Sequence, residues 1–130
     1  MPYSMKYVVD YLNVTANTLR YYEKEGILKN ISRDSMGHRV YDEKNIETLD
    51  FIRTLRLTGM PISKIKEYLD LYEIGDDTIS QRKEMMMRHK LVVQNKINED
   101  LKHLEVISYK VAMYEIIEKG YRQNPPRHDD

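Results

Sequence analysis

The sequence predicts a mainly α protein, with a winged helical head at residues 1–75 followed by one long helix at 76–119. Three observations carry that prediction. Apolar residues recur at helical spacing along most of the chain. Glycine and proline fall only at segment ends or in polar turns, at Pro2, Gly26, Gly37, Gly59, Pro61, Gly75, Gly120, Pro125 and Pro126. Between Gly75 and Gly120 neither residue occurs, which leaves room for a single uninterrupted helix.

Each element follows in order. Ser4 caps a first helix whose apolar positions are Met5, Val8, Val9 and Leu12. A short connection, Asn13-Val14-Thr15, leads to a second helix that ends near Glu25, with Thr15 as N-cap and Leu19 and Tyr22 on its inner face. So tight a link between two short helices forces a steep crossing, the helix-turn-helix arrangement. From Gly26 to Tyr41 the pattern changes, and Ile27, Leu28, Ile31 and Val40 around the polar turn Arg33–Gly37 predict a two-stranded wing. Asp42 caps a third helix carrying Ile46, Leu49, Ile52, Arg53 and Leu57 up to Thr58. Pro61 opens a fourth with Ile62, Ile65, Leu69 and Tyr72.

Asp76-Asp77-Thr78 is a start signal, with acids at the positive end of the coming helix dipole. Some forty residues at about 1.5 Å rise make a rod of roughly 60 Å. Ile97, Leu101, Leu104, Ser108 and Val111 step by four and three in alternation, as in a coiled-coil seam, and Met86 and Val93 continue it upstream less regularly. A lone helix cannot bury such a stripe, so a second copy of the chain is the simplest partner. The polar tail at 120–130 is expected to be disordered.

Composition narrows the function. There is no cysteine among the 130 residues, which removes disulfides, thiolate metal sites and cysteine nucleophiles. The four histidines are scattered, with no pair at metal-binding helical spacing, so no metal or other cofactor is expected. No apolar run approaches the roughly 20 residues of a membrane span, and the N-terminus lacks a secretory pattern. A soluble cytoplasmic protein, associated with the nucleoid if it binds DNA, is the expectation. Net charge is zero, yet residues 1–66 carry eleven basic against eight acidic side chains and the remainder ten against thirteen. Arg20, Lys24, Lys29, Arg33 and Arg39 fall close together, either as a nucleic-acid footprint or as a solvated face. No acid pair, nucleophile or phosphate loop points to an enzyme.

The runs TLRYYEKEGIL, GHRVYDEKNIETLDFIR and GMPISKIKEYL, in this order and spacing, resemble the MerR family of bacterial transcriptional regulators, over nearly the whole chain. The likeness is to short-tailed members without a C-terminal effector domain. It implies a winged helix-turn-helix head and an antiparallel coiled coil in a homodimer. It also implies binding to a pseudo-palindromic promoter, with distortion of that DNA aligning its elements for RNA polymerase.

The resemblance gives individual residues their expected roles. Arg20 projects from the second helix toward phosphate or a guanine edge, the plainer alternative being a surface pair with Glu23. Asn17 and Thr18 sit in the first turn, where side chains reach bases, although Thr15 and Thr18 can equally be capping residues. Tyr21 and Tyr22 face about 100° apart, so only one packs inward. The family pattern makes Tyr21 the DNA-facing member. In the wing, Arg39 matches a phosphate-binding arginine, and His38 stands where tyrosine is usual, either donating to phosphate or idle on the surface. Arg56 matches a basic position facing the DNA backbone, while Arg53 can cover core with its stem.

A small-molecule effector is conceivable but unidentified. Tyr68, Tyr72, Met86 and His89 invite a pocket, yet aromatic and methionine residues at helical spacing are more often core. Metal-sensing relatives use cysteines near the end of the long helix, and aldehyde-responsive ones carry a cysteine where this chain has Thr54. Two other readings stay open: a coiled-coil protein-interaction module and a non-specific architectural DNA-bending protein.

Overall fold

The computed structural model describes residues 2–120. Its order is β1 (Tyr3–Ser4), α1 (Met5–Leu12), α2 (Ala16–Lys24), β2 (Ser32–Arg33), β3 (Arg39–Tyr41), α3 (Glu43–Leu57), α4 (Ile62–Ile74), a 3-10 turn (Asp76–Thr78) and α5 (Ile79–Glu118). The chain divides into two compact units, 1–87 and 88–130. The first therefore runs beyond Gly75, through the 3-10 turn and into the opening turns of α5. The tail expected to be disordered lies, from residue 121 onward, outside the described residues.

The expected caps form. The hydroxyl of Ser4 accepts from the Tyr7 amide at 3.1 Å, and that of Thr15 from the Thr18 amide at 3.1 Å. At α3, Asp42 accepts from the Asn45 amide at 2.8 Å while the Asn45 side chain accepts from the Asp42 amide at 2.9 Å, a reciprocal capping box. α1 ends on Asn13 at φ 54°, and the left-handed turn there makes the short link to α2 feasible.

The wing differs from its expected two strands. The sheet has three strands in the order β1-β3-β2, all antiparallel, with Tyr3 opposite Tyr41 and Arg33 opposite Arg39. β1 is two residues long, too short to leave a period-two pattern, and Ser4 serves at once as its last residue and the cap of α1. Ile27 and Leu28 are not strand residues. They follow Gly26 as a buried connection, 4 % and 3 % exposed, closed by amide bonds of both to the Tyr22 carbonyl.

The head's core joins Val8, Leu12, Leu19, Tyr22, Tyr41, Leu49, Ile52, Leu55, Met60 and Ile65 with that connection. Each fully buried aliphatic side chain contributes about 1.5–3 kcal/mol. Two expected inner positions lie outside it: Leu57 is 73 % exposed, and Tyr72, 53 % exposed, carries the Arg82 guanidinium over its ring at 5.0 Å. Leu55 takes the inner place on α3 instead, because positions 49, 52 and 55 keep one face. Met86, half-buried, packs against the head's core.

α5 is a continuous helix of 40 residues, as its lack of breakers predicts. Along its part in the second unit, Ile97, Leu101, Leu104 and Val111 are each 50–56 % exposed, Ser108 is exposed and Val93 is half-buried. No described helix is long and apolar enough to cross a membrane.

Candidate nucleic-acid interface

α2 presents two faces. Leu19 and Tyr22 are buried, at 1 % and 8 %, and fix the helix on the core. Asn17, Arg20 and Tyr21 stay exposed on the outside, Tyr21 at 45 %. The tyrosine pair thus splits as its 100° offset requires. Arg20 donates from Nη1 to Asn17 Oδ1 at 3.1 Å, a bond one helical turn long that holds the guanidinium along the outer face. The Thr15 and Thr18 hydroxyls meet at 2.8 Å, so both threonines take part in the cap.

The alternative pairing of Arg20 with Glu23 does not form. Glu23 instead accepts from Arg39 Nε at 2.7 Å, across sixteen residues of sequence, and joins α2 to the wing. Both side chains are about a quarter to a third exposed, at 25 % for Arg39 and 30 % for Glu23. Arg39 reaches α2 because β3 lies between β1 and β2 at the centre of the sheet.

Beside this bridge a groove of about 510 Å³ runs between the wing and α1, lined by Lys6, Arg20, Arg33, Asp34, His38 and Arg39 among others. Five of these six side chains are basic or can become so. Asp34 is occupied by the turn itself: Oδ1 accepts from the Met36 and His38 amides, each at 2.9 Å. Arg33 Nη1 donates to the Gly37 carbonyl at 2.8 Å and closes the turn from the other strand. Gly37 sits at φ +83°, where a side chain is strained, which explains glycine at that corner. A concave basic surface beside an exposed polar helix suits a polyanion of groove-and-ridge form.

Of the residues singled out in the sequence, Arg20, His38 and Arg39 come together in this groove, with Asn17 bonded to Arg20. Arg56 lies apart, beside the helix-turn-helix link, in a smaller hollow of about 170 Å³ with Asn13, Val14, Tyr22 and Arg53. Its Nη1 donates to the Met60 carbonyl at 2.9 Å and so closes the α3–α4 turn. Lys29 leaves the basic cluster, binding Glu73 at 2.9 Å and Asp70 at 3.3 Å on α4. Those two carboxylates, Glu73 first, raise the Lys29 ammonium above its ordinary value. Sequence reading missed Lys6 in the groove, because only the unforeseen β1–β3 pairing places α1 beside the wing. The aromatic residues suspected of lining a pocket find plain partners: Tyr68 packs on Phe51 with ring centroids 5.7 Å apart, and Tyr72 lies under Arg82.

A helix-turn-helix capped and packed in this way, with a braced basic wing, defines a winged-helix regulator head. Comparison with known proteins gives the same class. The family profile described as MerR HTH family regulatory protein matches residues 3–71, and a second, described as MerR, DNA binding, matches 46–105. A regulator of the HTH type from Haemophilus influenzae is 34 % identical over 115 residues, 88 % of this chain and 85 % of its own. HiNmlR, a MerR family regulator lacking the sensor domain, solved bound to promoter DNA, superimposes with a TM-score of 0.86 at 31 % identity, covering 95 % of this chain and 98 % of that one. A MerR family regulator from Bacillus thuringiensis gives 0.76 at 34 % identity, over 88 % of this chain and all (100 %) of the other. The chain belongs to the MerR family of HTH transcriptional regulators.

Proposed function

We propose that the protein regulates transcription as a homodimer, binding a pseudo-palindromic promoter sequence-specifically and distorting it so that RNA polymerase can engage. α2 enters the major groove, with Asn17, Thr18 and Arg20 at base edges or adjoining phosphates and Thr15 and Tyr21 beside them. His38 and Arg39 grip phosphate from the wing, and Arg56 does so from the far side of the helix-turn-helix link. The long helix pairs with its copy through Met86, Val93, Ile97, Leu101, Leu104, Ser108 and Val111. Regulation of this kind needs no catalytic step and takes place in the cytoplasm, where promoters are.

One observation carries the reading: the exposed face of α2, holding Arg20, borders a wing-walled groove whose charged lining is mostly basic. A protein-docking head leaves that concentration of guanidinium groups without a purpose. A non-specific architectural protein leaves the polar outer face of α2 unexplained.

Binding of the purified protein to a fragment from its own upstream promoter, followed across a salt series, tests the proposal. Affinity falls steeply with salt, by about 0.9 in logarithmic slope for each phosphate contacted. Arg20→Ala weakens binding by about 1–3 kcal/mol if a base is read, and narrows the gap between promoter and random duplex. Equal affinity of parent and variant at every salt concentration removes α2 from the interface.

A further inference from the structure

We infer that Glu23 is a positioning residue for DNA binding: it holds Arg39, and with it the wing, at a fixed distance from the recognition helix. The inference rests on the promoter-binding reading above. Its starting point is an apparent misfit. A carboxylate beside a basic groove repels phosphate, so by charge alone Glu23 weakens DNA binding. Yet it makes the shortest of the ion pairs described in the head, 2.7 Å from Oε1 to Arg39 Nε, joining two elements sixteen residues apart.

The geometry suits a brace better than a competitor. Glu23 takes Nε, one of five donors on the guanidinium, and an arginine bound there keeps both Nη groups for a second acceptor. A lysine has one nitrogen and cannot serve two partners in such fixed directions. Partial burial of both side chains makes the bond stronger than a pair in open water, because screening is weaker there. The rest of the wing is braced in its own plane by Asp34 and Arg33, but those bonds stay within the hairpin. Across the gap to α2, the Glu23–Arg39 bond is the polar link among the described residues. A wing set by this bond arrives at the duplex already spaced for phosphates on either side of the major groove, and pays less ordering entropy on binding.

The two roles predict opposite signs for one substitution. Glu23→Gln keeps shape and exposure but removes the negative charge. If Glu23 only repels phosphate, the variant binds the promoter fragment more tightly. As a positioning residue its loss weakens binding, by about tenfold, although the protein has gained positive charge. In an Arg39→Gln background the same substitution costs nothing further, since there is no longer a guanidinium to place. Glu23→Asp, one methylene shorter, recovers little.

A readout without DNA keeps this separate from the promoter-binding reading. The Arg39 Nε–H resonance is shifted and slow to exchange in the parent, and sharp and fast in Glu23→Gln, with the thermal midpoint of the head nearly unchanged. Binding by Glu23→Gln as tight as or tighter than the parent overturns the inference. So does an undiminished loss in the Arg39→Gln background, or identical Nε–H exchange in parent and variant. Failure of the parent itself to bind the fragment overturns the promoter reading instead, while the exchange measurement still reports on the brace.

Discussion

Asp34 shows how much of the wing rests on one side chain. Its carboxylate accepts the amides of His38 and Met36, and the His38 amide first, then that of Met36, holds the group below the ordinary carboxylate value. A depressed folded-state pKa means that the folded wing binds protons less readily than the unfolded chain. The stabilisation is therefore complete above the unfolded value of about 4 and disappears as pH falls through the lower, folded one. Promoter affinity measured at constant salt should hold from neutral pH to about 4 and fall below that, and Asp34→Asn should weaken binding already at neutral pH. Carbon shifts of the Asp34 carboxyl, followed by NMR, locate the midpoint directly, and a midpoint at or above 4 refutes the account. His38 sits opposite this carboxylate at 3.7 Å and so takes part in the same turn.

At the scale of elements, the junction between α4 and α5 is the tightest piece of polar construction in the head. Gly75 adopts φ +109° and ψ −154°, a conformation open to glycine and hardly to anything else. Thr78, 4 % exposed, points its hydroxyl back at the Leu71 and Gly75 carbonyls, at 2.7 and 2.8 Å, which also accept the Gly75 and Thr78 amides. Arg82 Nε then donates to that hydroxyl at 3.0 Å while its guanidinium covers Tyr72. Thr78→Val keeps the volume and removes the donor and acceptor together, and should cost about 1–3 kcal/mol of head stability in a denaturant titration. Thr78→Ser, which keeps both, should cost less than half as much. Equal losses in the two variants mean that packing of the methyl, not the hydroxyl, holds the joint.

That junction also marks where the sequence was legible and where it was not. Asp76-Asp77-Thr78 reads as a helix start from local chemistry alone, as do Ser4, Thr15 and Asp42, because a cap is decided within four residues of chain. Helices α1 to α5, and most of the buried positions of α1 to α4, follow from a period that a dozen residues suffice to express, although Leu57 and Tyr72 lie outside the core and Leu55 within it. What escaped is what depends on distant partners. The strand at Tyr3–Ser4 exists because Tyr41 and Val40 lie opposite it, and nothing in two residues announces that. Glu23 has Arg20 three residues away and Arg39 sixteen away, so local rules choose the wrong partner. The groove inherits both errors: its residues were named in large part, but the role of Glu23, the bridging carboxylate beside it, was not.

For the whole molecule, what matters is what the second unit leaves uncovered. Leu91, Val106 and Ile107 are 60–66 % exposed and Ile97, Leu101, Leu104 and Val111 are 50–56 % exposed, along one helix that has no other described element in its unit. Apolar surface on that scale is covered in a stable protein, and a second α5 presents the matching stripe. Two heads on one dimer bind successive half-sites, and the second engages at the high effective concentration set by the first. Leu104→Glu puts two like charges near the middle of the expected seam, where neither is solvated, and should shift the sedimentation mass at micromolar concentration from dimer to monomer. The head, whose core lies in residues 1–87, should keep its denaturation profile. Promoter affinity should fall on the order of a hundredfold as the linked second half-site is lost, while a single half-site should bind as before. A variant that stays dimeric with full affinity places the interface on another face of α5. A monomeric variant with full affinity shows that a single head suffices and that the pairing serves something other than DNA recognition.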